Sequence, residues 1–138
     1  MINYYTEEVS FLVENQDKIT SWITDAISSE NYKLDSISYI LCNDVYLLDI
    51  NIKYLKHNML TDVISFDETI GKLISGDIFI SIDRVTENAK IFNNSLIDEL
   101  HRVMIHGVLH FCGYKDKSAT DKSVMRAKED YYLSLRDF

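Results

Sequence analysis

Two spacings of apolar residues alternate along this chain, and each change of spacing marks a new element. LDSISYILC (34–42) is apolar and β-branched and predicts a strand. TDVISF (61–66) and GDIFISI (76–82) read the same way, and INYY at the start reads as a short strand. Elsewhere the spacing is helical. In TEEVSFLVENQDKITSWITDAISSE, Thr6 followed by acidic residues is a start signal, and Trp22, Ile23, Ala26 and Ile27 recur at helical intervals. Asn43 is placed to cap DVYLLDINIKYL, with Val45, Leu48, Ile52 and Leu55 as its apolar stripe. DETIGK turns the chain, and a helix is predicted from Asp83 to about Phe92, where NNS breaks it. Ser95, with Asp98 and Glu99 in the first turn, starts another helix in a capping-box pattern. That helix runs to Cys112 and stops at Gly113, and a last helix occupies about 119–135. The order β-α-β-α-β-β-α-α-α predicts one compact α/β (α+β) domain over residues 1–138. Its sheet is mixed and roughly four-stranded, with about five helices packed on it.

Composition narrows the class. An apolar content of 46% and a charged content of 26% are ordinary for a globular chain of 138 residues. No apolar run is long enough to span a membrane, and the acidic start lacks the basic and apolar segments of a secretory signal. Cys42 and Cys112 lie far apart, which argues against a disulfide framework, so a cytoplasmic protein is expected. A net charge of −8 weighs against a nucleic-acid partner. The charge is uneven, however. Residues 1–30 hold six acids and one base, whereas residues 115–128 hold five bases and two acids. Such a run is ordinarily a solvated face, but this one directly follows the two most suggestive histidines.

Those histidines belong to HGVLHFCGYKD (106–116). On a helical wheel Ile97, Leu100, Met104, Val108 and Phe111 form one stripe, and His106 and His110 lie together on roughly the opposite side. Four residues apart, their Cβ atoms are about 5–6 Å from each other, close enough to share one ion. His101 points away from both and reads as a core or partner-facing histidine. Gly113 can take a left-handed conformation and reverse the chain, which returns Asp116 toward the pair. The pattern H-x-x-x-H-x-x-G-x-x-D has the spacing of the extended metzincin motif. The alternative is a surface histidine pair and a chance aspartate. Pair, stop glycine and third ligand together favour a metal site of His106, His110 and Asp116 holding one zinc ion per chain, since imidazole suits zinc. Three ligands leave a fourth position for a water or hydroxide, with the water pKa lowered to about 7. The metzincin general base, a glutamate, is replaced by Gly107. Peptide cleavage thus loses its base, whereas RNA brings its own 2′-OH and phosphodiester hydrolysis can use the metal-bound water.

This segment resembles the signature of the YbeY family of bacterial rRNA-maturation endoribonucleases, H-G-x-L-H-L-x-G-Y-D-H. Three more stretches are similar in order and spacing: YLKHNMLTDVISF (54–66) to Y-R-x-x-x-x-P-T-D-V-L-S-F, SGDIFIS (75–81) to G-D-I-x-I-S, and Met125 with Glu129 to M-x-x-x-E. FNNSLIDELHRVMIHG resembles the helix leading into the histidines, and the resemblance covers about residues 34–131. It implies a single-strand-specific metallo-endoribonuclease with zinc near one end of a cleft, and no organic cofactor or membrane. Its implied role is 16S rRNA 3′-end maturation and ribosome quality control, with rRNA and the small ribosomal subunit as partners. Two positions depart from the pattern. Asp116 stands where the family has its third histidine, and Leu55 stands where it has an arginine. Lys56 and His57 are the candidate cations in that arginine's place, and both also read as solvated loop residues. Asp62 and Tyr114 read as turn residues, Ser65 as a strand residue, and Met125 and Cys112 as packing. Two further readings stay open: a non-catalytic ribosome-assembly factor with a structural metal, and a small metallopeptidase.

Overall fold

Strand-forming residues build one mixed sheet in the order β1-β2-β4-β3. The strands are β1 (Ile2–Thr6), β2 (Lys33–Cys42), β3 (Val63–Asp67) and β4 (Leu73–Ser81), in a computed structural model that describes residues 1–138. β1, β2 and β4 run parallel, and β3 pairs antiparallel with β4 along the edge. Parallel neighbours need long crossovers. Helix α1 (Gln16–Ser29) supplies the one from β1 to β2, and helix α2 (Asp44–Ile50) leads from β2 toward β3. Helices α3 (Ile82–Ile91), α4 (Leu96–Phe111) and α5 (Ala119–Ser134) follow the sheet.

The alternation of β2 and β4 sends Ile37, Tyr39, Leu41, Ile74, Ile78 and Ile80 into a core shared with α1 and α4. The opposite face carries a smaller cluster of Cys42, Leu47, Ile50 and Ile64 under α2. On α4, Leu100, Met104, Val108 and Phe111 are buried as the stripe predicts, while Ile97 is exposed. At about 1.5–3 kcal/mol for each buried side chain, those four contribute roughly 6–12 kcal/mol gross to seating the helix. Two polar ties add direction: Tyr39 Oη donates to the Met104 carbonyl (3.0 Å), and Trp22 Nε1 donates to that of Tyr132 (2.7 Å).

Two expectations fail for physical reasons. The first helix does not start at Thr6. Glu7 N extends the sheet by donating to Leu41 O, Val13 drops into the core, and helical structure begins only at Gln16, after a left-handed Asn15. The predicted stripe of the second helix is also on the wrong face. Val45 is 77% exposed, Ile52 and Leu55 are exposed too, and Leu47, Ile50 and Asn51 are buried instead. Eight of the twelve residues in 44–55 are apolar, so more than one helical stripe can be drawn, and after seven residues the helix widens into a π-helical turn, Asn51–Leu55. The capping pattern at Ser95 is half realised. Its hydroxyl accepts from Asp98 N, but the Asp98 carboxylate pairs with Arg136. The full reciprocal box forms at Ser118 and Asp121, at the start of α5.

Candidate metal centre beside a basic cleft

α4 carries His106 and His110 toward its C-terminal end, and Gly113, with φ +97°, turns the chain after it. That turn folds Asp116 back onto the helix. His106 Nε2 and His110 Nε2 are 3.0 Å apart, and Asp116 Oδ2 lies 3.3 and 3.2 Å from them. The imidazole planes stand 85° apart, so the rings meet edge-on and do not stack. The three predicted ligand residues are therefore brought together, each offering one ligand atom.

The far nitrogens of both rings are committed. His106 Nδ1 lies 2.7 Å from Glu129 Oε2, and His110 Nδ1 lies 2.9 Å from the Tyr114 carbonyl oxygen. The Tyr114 carbonyl can only accept. Glu129 is also an acceptor, because it is ionised: burial pushes its pKa up, but hydrogen bonds from His106 and Arg102 outweigh that and hold it below the ordinary value. Both Nδ1 atoms thus donate, which leaves a lone pair on each Nε2 whenever the rings are neutral. Two imidazole lone pairs and a carboxylate oxygen then converge within 3.3 Å. Such a triangle repels itself unless a cation lies in it. A proton satisfies two of the three atoms at best, whereas a metal ion satisfies all three. Ligands at 2.0–2.1 Å from a tetrahedral zinc stand about 3.3 Å apart, so the donor set fits.

Glu129 is the residue whose role the sequence reading missed. Its side chain is 6% exposed, and Arg102 Nη1 donates to its other oxygen at 2.9 Å. A carboxylate behind a ligating histidine fixes the tautomer and raises the ring's basicity. Consistently, burial lowers the His106 pKa but the Glu129 hydrogen bond and charge more than restore it, and the net shift is upward. The M-x-x-x-E match was the only signal for Glu129. Met125, from the same match, is a buried core residue.

Gly107 has a packing reason. A Cβ there would sit 2.8 Å from Ile78 Cδ1 and 3.1 Å from Ser65 Oγ. Position 107 faces the sheet, so a glutamate at this point of the helix would be driven into Ile78. Asp62 lines a pocket of about 200 Å³ together with His106, Arg102, Arg126 and Glu129. Burial raises its pKa, and the nearby His106 partly offsets this. His101 is buried against Trp22 and Phe138, with Arg136 Nη1 2.7 Å from its Nδ1, as a core histidine. Cys112 is buried, and burial pushes its thiol up to about 12, which leaves it inert.

A cleft of about 690 Å³ opens beside His110. Leu55, Met59 and Tyr114 give it apolar surface, Lys115 and Lys117 give it cationic groups, and His57 also lines it. Of the two candidate cations, His57 lines this cleft, and Lys56 does not: it ends the π-helical turn in a left-handed conformation.

With this arrangement described, the chain can be set beside known proteins. The family described as Endoribonuclease YbeY matches residues 1–136. The chain belongs to the YbeY family. The Endoribonuclease YbeY of Flavobacterium johnsoniae is 50% identical over 135 residues, covering 98% of this chain and 96% of the relative. That of Flavobacterium psychrophilum is 52% identical over 131 residues, covering 95% and 94%. A protein of Thermotoga maritima solved in solution shares the fold, with a TM-score of 0.68 at 24% identity over 97% of this chain and 87% of its own. YbeY membership extends the resemblance from residues 34–131 to nearly the whole chain, including the α1 segment whose helix start was misplaced.

Proposed function

We propose that this single-domain chain (1–138) is a metal-dependent endoribonuclease that cuts single-stranded RNA in the cytoplasm. Its substrate is rRNA of the small ribosomal subunit, in 16S 3′-end maturation and quality control. One observation carries the metal site: three acceptor atoms converge on one point, and their geometry fits zinc. Family membership, with relatives named endoribonucleases, supports the reaction. Zinc held by His106, His110 and Asp116 would supply a Lewis acid and an acidified water.

The chain's own groups do the rest. Glu129 and the Tyr114 carbonyl hold the Nδ1 protons, so that both rings present Nε2 to the same point. Lys115 and Lys117 place positive charge along the cleft of an otherwise acidic chain, where a phosphodiester backbone would pass. His57 is the cleft imidazole nearest in sequence to the missing arginine, and the apolar surfaces of Leu55 and Met59 suit unstacked bases. No helix is long and apolar enough to cross a membrane.

A second reading has one observation in its favour: the residues lining the cleft include no arginine, the best side chain for clamping a phosphate in two places. On that reading the protein is an assembly factor with a structural metal. Incubating the zinc-loaded protein with single-stranded and duplex RNA, with and without chelator, separates the two. Cleavage of the single strand that chelator abolishes supports the nuclease. Intact RNA with full zinc occupancy refutes it in favour of the assembly factor. Peptide cleavage is disfavoured by the packing at Gly107, and a peptide substrate is expected to survive.

A further inference from the structure

Glu30 closes the C-terminal end of α1, on the far side of the chain from the histidine motif in sequence, and its side chain is only 10% exposed. It collects three donors. Tyr114 Oη donates at 2.6 Å, Lys128 Nζ at 3.1 Å, and Tyr132 Oη donates as well. Lys128 Nζ also lies 5.5 Å from the centre of the Tyr114 ring. Only a carboxylate offers enough lone pairs for three donors, and an ammonium among them suits its charge.

Tyr114 is held at both ends. Its hydroxyl is bound to Glu30, and its backbone carbonyl accepts the His110 Nδ1 proton at 2.9 Å. Between it and the helix stands Gly113, the most permissive link in the turn, at φ +97°. Gly113 N donates to His110 O and Tyr114 N to Leu109 O, both at 3.0 Å, which closes the turn from within, and the Glu30 bond to the Tyr114 hydroxyl adds a hold from outside it. We propose that Glu30 is a positioning residue for the ligand His110: by anchoring Tyr114 it aims the carbonyl that sets the tautomer and orientation of that ring. The inference rests on the proposed metal site, but the link to the ring can be read without any metal.

The competing account makes Glu30 a staple between α1 and α5, with Tyr132 and Lys128 as the partners that matter. Tyr132→Phe is therefore the decisive control. It removes a hydroxyl from the same carboxylate, but Tyr132 makes no contact with His110. Three quantities are measured in the full-length protein: zinc affinity by competition with a chromophoric chelator, the thermal midpoint without zinc, and the ¹⁵N spectrum of the His110 ring without zinc at mildly alkaline pH. Losing a group that orients a metal ligand costs about 10–100-fold in affinity, and Glu30 acts one bond further out, so about 3–10-fold is expected. Glu30→Gln and Tyr114→Phe should each weaken zinc binding by that factor. Combined, they should do little more than either alone, and each should give the His110 ring a mixture of tautomers. Tyr132→Phe should lower the midpoint and leave zinc affinity and the ring spectrum as in the wild type.

The inference is overturned if Tyr114→Phe and Glu30→Gln lower the midpoint while the ring stays in one tautomer and zinc affinity holds. It is equally overturned if Tyr132→Phe weakens zinc as much as Tyr114→Phe does. If Glu30→Gln fails to fold, Tyr114→Phe, which deletes one oxygen, decides alone. A wild-type protein that binds no zinc overturns the metal site, and the ring spectrum then still judges the Glu30 link by itself.

Discussion

Removing Asp116 isolates the site from the fold. Its carboxylate is 42% exposed, and its polar neighbours are the two Nε2 atoms at 3.2 and 3.3 Å. Nothing in the core leans on it, so Asp116→Ala should change the zinc-free stability by no more than about 0.5 kcal/mol. The metal-dependent stability behaves differently. With free zinc at about 100 times its Kd, binding adds about 2.7 kcal/mol to the wild type. At about 3 °C per kcal/mol for a chain of this size, the midpoint rises by about 8 °C. A change behind a ligand already costs up to about 100-fold in affinity, so losing the ligand itself should cost at least about 100-fold. At the same zinc concentration the variant would then gain about 0.4 kcal/mol, or about 1 °C. Thermal melts at matched free zinc read both terms, and elemental analysis after gel filtration reads occupancy. A variant that keeps one zinc per chain and the full upward shift would show that Asp116 is not a ligand. A variant that melts far lower even without zinc would show a structural role that its exposure does not suggest.

Restoring a glutamate at position 107 should not create a peptidase. Gly107→Glu forces atoms into Ile78 and buries a carboxylate, so the unfolding free energy should fall by more than the about 1–3 kcal/mol of simple overpacking; a stable variant that cleaves peptides would sink the packing account of this glycine. His101 should make the fold acid-sensitive. Burial, helped by Arg136, holds its pKa down to about 4, below the ordinary 6.5, so the neutral ring is favoured in the native state. The unfolded chain takes up the proton first, so the stability this group gives is intact above about pH 6.5 and falls away as pH drops toward 4, by roughly 3 kcal/mol at most. His101→Gln keeps an acceptor for Arg136 and removes the titration. Denaturant melts of wild type and variant should diverge in slope across that window, and parallel curves would rule out His101 as the source.

What could be read from the chain divides along physical lines. Elements whose apolar residues keep one clean period were placed well: β2, β4, α4 and α5 all fall within three residues of their expected bounds. The segment after Asn43 has eight apolar residues in twelve and admits more than one stripe, and a π-helical turn then shifted its phase. Residues 7–15 carry helix-like signals, but the sheet and core claim them through Glu7 and Val13. The cluster of His106, His110 and Asp116 was legible because all three lie within eleven residues, where helical periodicity and one glycine fix their relation. Glu129 lies 23 residues from His106, and Glu30 lies 84 from Tyr114. No local spacing rule reaches that far: the M-x-x-x-E match marked Glu129 without its role, and the packing of α1 and α5 on α4 reveals that role and Glu30. Lys56 and His57 are neighbours in sequence, and the left-handed end of the turn decides which one meets the cleft.

The gap between His106 and Glu129 also has a consequence in time. During synthesis at roughly 5–20 residues per second, the histidine is made about one to five seconds before the carboxylate that sets its tautomer. Until α5 has been made and has docked, the His106 ring has no fixed proton, and the triangle has no fixed geometry. If the centre holds a metal as proposed, its capture would be a late event in the life of a nascent chain, and a partly made chain would have no assembled centre. Zinc uptake during refolding should accordingly track the docking of the last helix, not the formation of the sheet.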